Sequence, residues 1–119
     1  IIDKGETPQK GDFIAFKFQG FEPWFPKGSI FVKILSGTEG DIVSVSNQTC
    51  IEYKVNHTLI GCAKAKTTDG HRLLLGPVGV VPKNRFVVRG TSPDSFDSRY
   101  DGVGWIKKKQ VIGRAYAIF

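Results

Sequence analysis

Short runs of Val, Ile and Phe alternate with polar residues along almost the whole chain, each cut off by Gly, Pro, Asn or Asp. β-Branched and aromatic side chains suit a pleated, half-buried surface, and a period of two sends successive side chains to opposite faces. No window sustains an i, i+3, i+4 apolar spacing over three turns, so an amphipathic helix has nowhere to form. The pattern predicts strands at 12–18, 30–35, 41–46, 50–55, 58–63, 72–75, 85–89, 103–105 and 111–118. The expected fold is all-β, a small barrel or strongly coiled sheets.

At 119 residues, 40% hydrophobic and 24% charged, the chain has the length and composition of one globular domain spanning 1–119. No repeat or low-complexity linker divides it, and the densest loop signals lie at 20–28, 67–70 and 90–94. No apolar run approaches the roughly 18 to 20 residues that cross a bilayer, and the first residues lack a basic-then-apolar leader. The chain starts at Ile1 and contains no Met, which reads as an excised fragment or a processed form. Its net charge of +6 raises the question of an anionic partner. The basic residues are scattered apart from Lys107-Lys108-Lys109, which speaks against a nucleic-acid footprint.

Cys50 and Cys62, twelve residues apart, fit neither a CxxC redox pair nor a zinc knuckle. A disulfide across a hairpin, suited to the periplasm or the cell exterior, is preferred over two buried thiols, suited to the cytosol. His57 and His71 sit in polar loop contexts without acidic or Cys partners at metal-binding spacing, so no metal or other cofactor is expected. No GxSxG elbow, phosphate loop or dinucleotide fingerprint occurs, and Gly76-Pro77-Val78-Gly79 lacks the strand-to-helix setting of one. Lysine is the chemistry that remains. In Ile30-Phe31-Val32-Lys33-Ile34-Leu35 the period of two puts Lys33 on the face of Phe31 and Leu35. Desolvation there would push its pKa down from about 10.4, toward a neutral amine that acts as a base. The alternative is a lysine at a strand edge whose ammonium reaches water. The segment 90–102, rich in Ser and Asp, can bond to its own backbone and form a tight loop, with Asp97 and Arg99 able to pair.

In order along the chain, four stretches resemble the conserved boxes of the type I signal peptidase family. Lys10-Gly11-Asp12-Phe13-Ile14-Ala15-Phe16-Lys17 is similar to the family's GD-then-apolar strand. Phe31-Val32-Lys33-Ile34-Leu35-Ser36-Gly37-Thr38-Glu39-Gly40-Asp41 is similar to its K-R-x-x-G-x-P-G-D box. Residues 89–102 are similar to its G-D-N-x-x-x-S-x-D-S-R-x-x-G box, and Val111-Ile112-Gly113-Arg114-Ala115 to its closing I-x-G-R-A. Ile34 stands where the family has Arg and Glu39 where it has Pro, while Thr91-Ser92-Pro93 replaces Asp-Asn in a loop one residue shorter. These departures and the compact size resemble the conjugative-transfer (TraF-type) branch, which processes pilus proteins.

The resemblance implies a signal-peptidase-like or LexA-like coiled β-sheet barrel and a serine endopeptidase with a Ser/Lys dyad. Lys33 matches the general base and Ser95 the serine that orients its amine. Asp97 and Arg99 match a pair bracing the loop. Val32, with Phe31, matches the wall of a small substrate pocket beside which an extended exported preprotein or prepilin adds as a strand. The family's nucleophile precedes the GD strand, just after a membrane anchor, and no serine lies before Gly11. The catalytic serine and anchor are therefore expected upstream of Ile1, which leaves this stretch inactive alone. Such an enzyme sits in the bacterial inner membrane with its catalytic domain facing the periplasm, and Trp24 and Phe25 are candidates for lipid contact or for a loop folded over the core. Two alternatives remain: a LexA-like self-cleaving domain, and a non-catalytic signal-peptidase-like scaffold of a conjugation or secretion apparatus.

Overall fold

The computed structural model describes residues 1–21 and 25–116. Ten strands follow one another: β1 (Ile2–Asp3), β2 (Phe13–Lys17), β3 (Ile30–Gly37), β4 (Ile42–Asn47), β5 (Ile51–Val55), β6 (Thr58–Ala63), β7 (Gly79–Val80), β8 (Arg85–Arg89), β9 (Ile106–Lys107) and β10 (Val111–Ala115). A single 3₁₀ turn, Lys108–Gln110, separates the last two, and the described residues contain no α-helix.

The strands form two antiparallel sheets, one in the order β1-β10-β2-β3-β8-β9 and one in the order β6-β5-β4-β7. The all-β expectation holds. The barrel does not close among the described residues: both sheets are open. Six of the nine predicted strands match within one or two residues; the last, 111–118, is a strand from Val111 to Ala115, and its residues Ala117 and Ile118 lie outside the described residues. The run 72–75 makes only isolated bridges, Lys66 to Arg72 and Leu75 to Tyr100. Its leucines 74 and 75 are 64% and 42% exposed and Leu73 alone packs against the second core, so too little of the run is buried to hold it in a sheet. At 103–105 the chain is still turning, with Gly104 at φ +62°, and β9 starts one residue later.

Each sheet covers its own core. Ile14, Phe16, Phe18, Leu35, Val88, Val103 and Ile106 pack beneath the six-stranded sheet. Val43, Tyr53, Val55, Ala63, Val81, Val87 and Tyr100 fill the second core. The alternation of β8 joins them, since Val87 enters one core and Val88 the other. Phe96 packs against both. Cys50 and Cys62 are joined by a disulfide with a Cα–Cα distance of 5.8 Å, linking the start of β5 to its partner β6.

Phe16 is fully buried at the centre of the first core. Phe16→Ala should cost about 3–5 kcal/mol, read as a lowered urea midpoint at unchanged slope.

Candidate active site

Lys33 stands on β3 opposite Ile14 of β2, on the face that carries Phe31 and Leu35. Leu35 is buried, whereas Lys33 is half-buried, so the strand carries its lysine out from the core toward a partly open position. The amine lies 5.5 Å from the centre of the Phe31 ring. Among the described residues it makes no hydrogen bond or ion pair. Burial pushes its pKa below the ordinary lysine value; the Asp97 carboxylate opposes this and the Arg99 guanidinium adds to the lowering.

The neighbour of that amine is the loop following β8. Strand β8 pairs with β3 only as far as Arg89 opposite Ile34, and the chain then leaves the sheet at Gly90. A Cβ on Gly90 would stand 3.3 Å from Lys33 Nζ and collide with the Ser95 side chain. Glycine at this point is what lets the Ser95 loop close against the lysine. Ser95 Oγ accepts a hydrogen bond from the Ser92 N–H at 3.1 Å, which holds the hydroxyl on the inside of the turn. Residues 30–33 of β3 pair with β2 alone, so the other edge of this stretch is left unpaired by the sheet.

Asp97 and Arg99 hold the loop from beneath, 0% and 1% exposed. Arg99 donates through Nε to Asp97 Oδ1 at 2.8 Å and through one terminal nitrogen to Oδ2 at 2.9 Å. The same guanidinium reaches the carbonyls of Ser95 at 3.0 Å, Pro93 at 3.3 Å and Cys62 at 2.7 Å. Asp97 also accepts from the N–H groups of Gly90 at 2.8 Å and of Arg99 itself at 3.0 Å. Gly61 makes room for this on the second sheet: a Cβ there would lie 2.5 Å from the guanidinium, and its φ of +153° suits glycine. Ser98 completes the tie, its Oγ accepting from the Val88 N–H at 2.9 Å.

Lys33, Ser95, Asp97 and Arg99, spread over more than sixty residues, thus lie together in the structure. Val32 points the other way, to the outer face of β3, where it is 49% exposed; what it brings beside Lys33 is its backbone. Phe31 stacks on Phe18 with ring centres 4.4 Å apart. The Phe25 ring packs edge-on against Phe31 and Phe18 and stacks on Phe96, an arrangement over the core. Trp24 lies outside the described residues. His57 and His71 are exposed, and among the described residues no group of His, Cys, Asp or Glu is arranged to hold a metal ion. Sequence reasoning missed Gly90, Gly61 and the Cys62 carbonyl. A glycine inside a strand pattern is a sign of close approach, which was available for Gly61; a carbonyl carries no residue signature.

A protein-family model described as signal peptidase, peptidase S26, matches residues 1–119. The chain belongs to the signal peptidase S26 family. This is a family of serine endopeptidases, and the chain is of signal-peptidase type. Among solved structures, signal peptidase I from Enterococcus faecalis V583 is similar at 24% identity with a TM-score of 0.59, over 93% of this chain and 98% of that one. That likeness shows a shared fold. No curated protein matches the chain. S26 peptidases are typically membrane-associated; no helix among the described residues of this one is long and apolar enough to cross a bilayer.

Two outcomes test this geometry. Arg99→Met should destabilise the fold by about 3–5 kcal/mol, because Asp97 is left buried without its countercharge; Asp97→Leu with Arg99→Met should cost less than the single change. For Lys33, a lowered folded-state pKa means that the unfolded chain binds more protons between the folded and unfolded values, so stability rises with pH through that window. Lys33→Met should therefore be more stable than the parent at neutral pH, and the gap should close as pH rises toward the ordinary lysine range. Denaturation midpoints at a series of pH values check this.

Proposed function

We propose that this chain is the catalytic domain of a membrane-anchored signal-peptidase-type endopeptidase in which Lys33 is the general base of a Ser/Lys dyad. The observation that carries the reading is the half-buried amine of Lys33, its pKa lowered by burial, facing the Ser95 loop beside an unpaired edge of β3. In the neutral form the amine takes the proton of a serine Oγ as that oxygen attacks the scissile carbonyl. The resulting ammonium then protonates the departing amine, leaving an acyl-enzyme that water resolves by the same exchange. Ser95 orients the lysine, and Asp97 with Arg99 fixes the loop that carries Ser95.

The nucleophile is a serine N-terminal to Ile1, following a membrane anchor, as the resemblance to signal peptidases implies. On this reading the stretch 1–119 binds substrate without cleaving it. An extended preprotein lies along residues 30–33 of β3, where backbone donors and acceptors remain for one more strand. The departures from the housekeeping pattern at Ile34, Glu39 and Thr91-Ser92-Pro93 favour the conjugative-transfer branch, with pilin or another exported protein as substrate. The enzyme works at the bacterial inner membrane with this domain in the periplasm, a setting that suits the Cys50–Cys62 disulfide.

The test restores about forty upstream residues, enough for an anchor of some 20 residues and a short strand, and follows cleavage of a co-expressed prepilin. The extended protein should cut, the 119-residue chain should not, and Lys33→Ala should lower the rate by roughly three orders of magnitude or more. Absence of cleavage by the folded, extended protein on every candidate pilin would replace this reading with a non-catalytic scaffold.

A further inference from the structure

The Ser95 loop has two sides. One faces Lys33; the other, through Asp94 and Phe96, walls a cavity of about 490 Å³. Its apolar lining comes from Phe21 and Phe25 of the β2–β3 connection, from Phe96 and Tyr100, and from Leu73 beyond β6. These rings are locked by one another: Phe96 stacks on Phe25 at 5.4 Å and on Tyr100 at 5.8 Å, and meets Phe21 at 5.0 Å. Tyr100 is further held by its hydroxyl, which accepts from the Lys64 N–H at 2.9 Å. A concave site of this volume, apolar and preformed, is the usual shape of a ligand pocket.

The rim supplies the selectivity. Lys64 is paired with Asp94, both lining the cavity, and His71 lies 3.4 Å from Asp69. Lys66 and Arg72 face each other as backbone bridge partners, both exposed, and neither makes an ion pair among the described residues. The cavity therefore combines an aromatic floor with two cationic side chains whose charge the described protein leaves uncompensated. An apolar side chain next to a carboxylate matches both parts.

We infer that this cavity is a subsite for an acidic, apolar segment of the peptide substrate, separate from the unpaired edge of β3 at Lys33 and coupled to it through the shared Ser95 loop. The identity of the ligand as substrate rests on the peptidase reading above. The loop is a rigid partition, gripped by Arg99 through the carbonyls of Pro93 and Ser95, so a segment seated on Phe96 fixes the distance of the peptide backbone from Lys33. Binding energy gained here orients the scissile bond without touching it.

The experiment titrates the ¹⁵N-labelled 119-residue chain with three acetylated, amidated tripeptides, Phe-Glu-Leu, Phe-Gln-Leu and Phe-Lys-Leu. The Glu peptide should move the amide signals of Lys66, Thr67, Leu73 and Phe96. Two exposed charge pairs should make it bind about fivefold to tenfold more tightly than the Lys peptide. The double variant Lys66→Glu with Arg72→Glu, both at the surface, should invert that order. Lys33→Ala should leave it unchanged, which separates this inference from the catalytic one: peptide binding with the stated charge order but no cleavage by the extended enzyme removes the catalytic reading, and with it the ligand's identity as substrate, and leaves a peptide-binding site. Equal binding of all three peptides, signals moving elsewhere, or vesicles of anionic phospholipid reproducing the shifts where the peptides do not, would each overturn the subsite.

Discussion

Arg99 and Asp97 form a bidentate pair with almost no solvent contact, and the Ser95 loop beside Lys33 is held by it. Burying two charges costs several kcal/mol each unless other groups satisfy them. Here they are satisfied: the guanidinium reaches carbonyls on the Ser95 loop and on β6, and the carboxylate accepts two backbone N–H groups besides. The pair thus gives the loop one geometry rather than a large surplus of stability. It also joins the two sheets, since Cys62 belongs to one and Gly90 follows a strand of the other.

That pair has a second consequence, for the lysine. A bare carboxylate near Lys33 would hold it protonated, which suits an ion pair and defeats a base. Asp97 does pull in that direction, but its charge is matched by Arg99, and burial prevails. The absence of any hydrogen-bond acceptor on Nζ among the described residues works the same way. A strand that buries Leu35 and leaves Lys33 at the border of the core is a simple way to obtain a weakly solvated amine on a rigid element.

The period-two pattern made the all-β fold legible, along with the placement of Lys33 beside Phe31 and Leu35, because alternation is a local property of a strand. The residues that meet Lys33 became legible only through resemblance, since Ser95 and Arg99 reach it by a topology that no local pattern encodes. The two-residue strands β1 and β7 are too short to show a period. The run 72–75 reads as a strand in sequence because strand chemistry looks the same whether one residue of it is buried or a whole face is. Val32 marks a different limit: adjacency to Lys33 along the chain means the opposite face in a strand. The aromatic cavity was illegible for a plainer reason, being assembled from segments that are neighbours only in space.

The ionisation of Lys33 decides between these accounts most directly. Heteronuclear NMR of the lysine side chains, with Lys33→Arg used to assign its signal, gives the pKa of Nζ in the folded chain. A value clearly below the ordinary lysine figure of about 10.4, returning toward it in an unfolding concentration of urea, is what the half-buried amine beside a neutralised Asp97 predicts. A signal that titrates at or above the ordinary value would mean that Lys33 is a solvated or ion-paired cation, and the general-base assignment would fall.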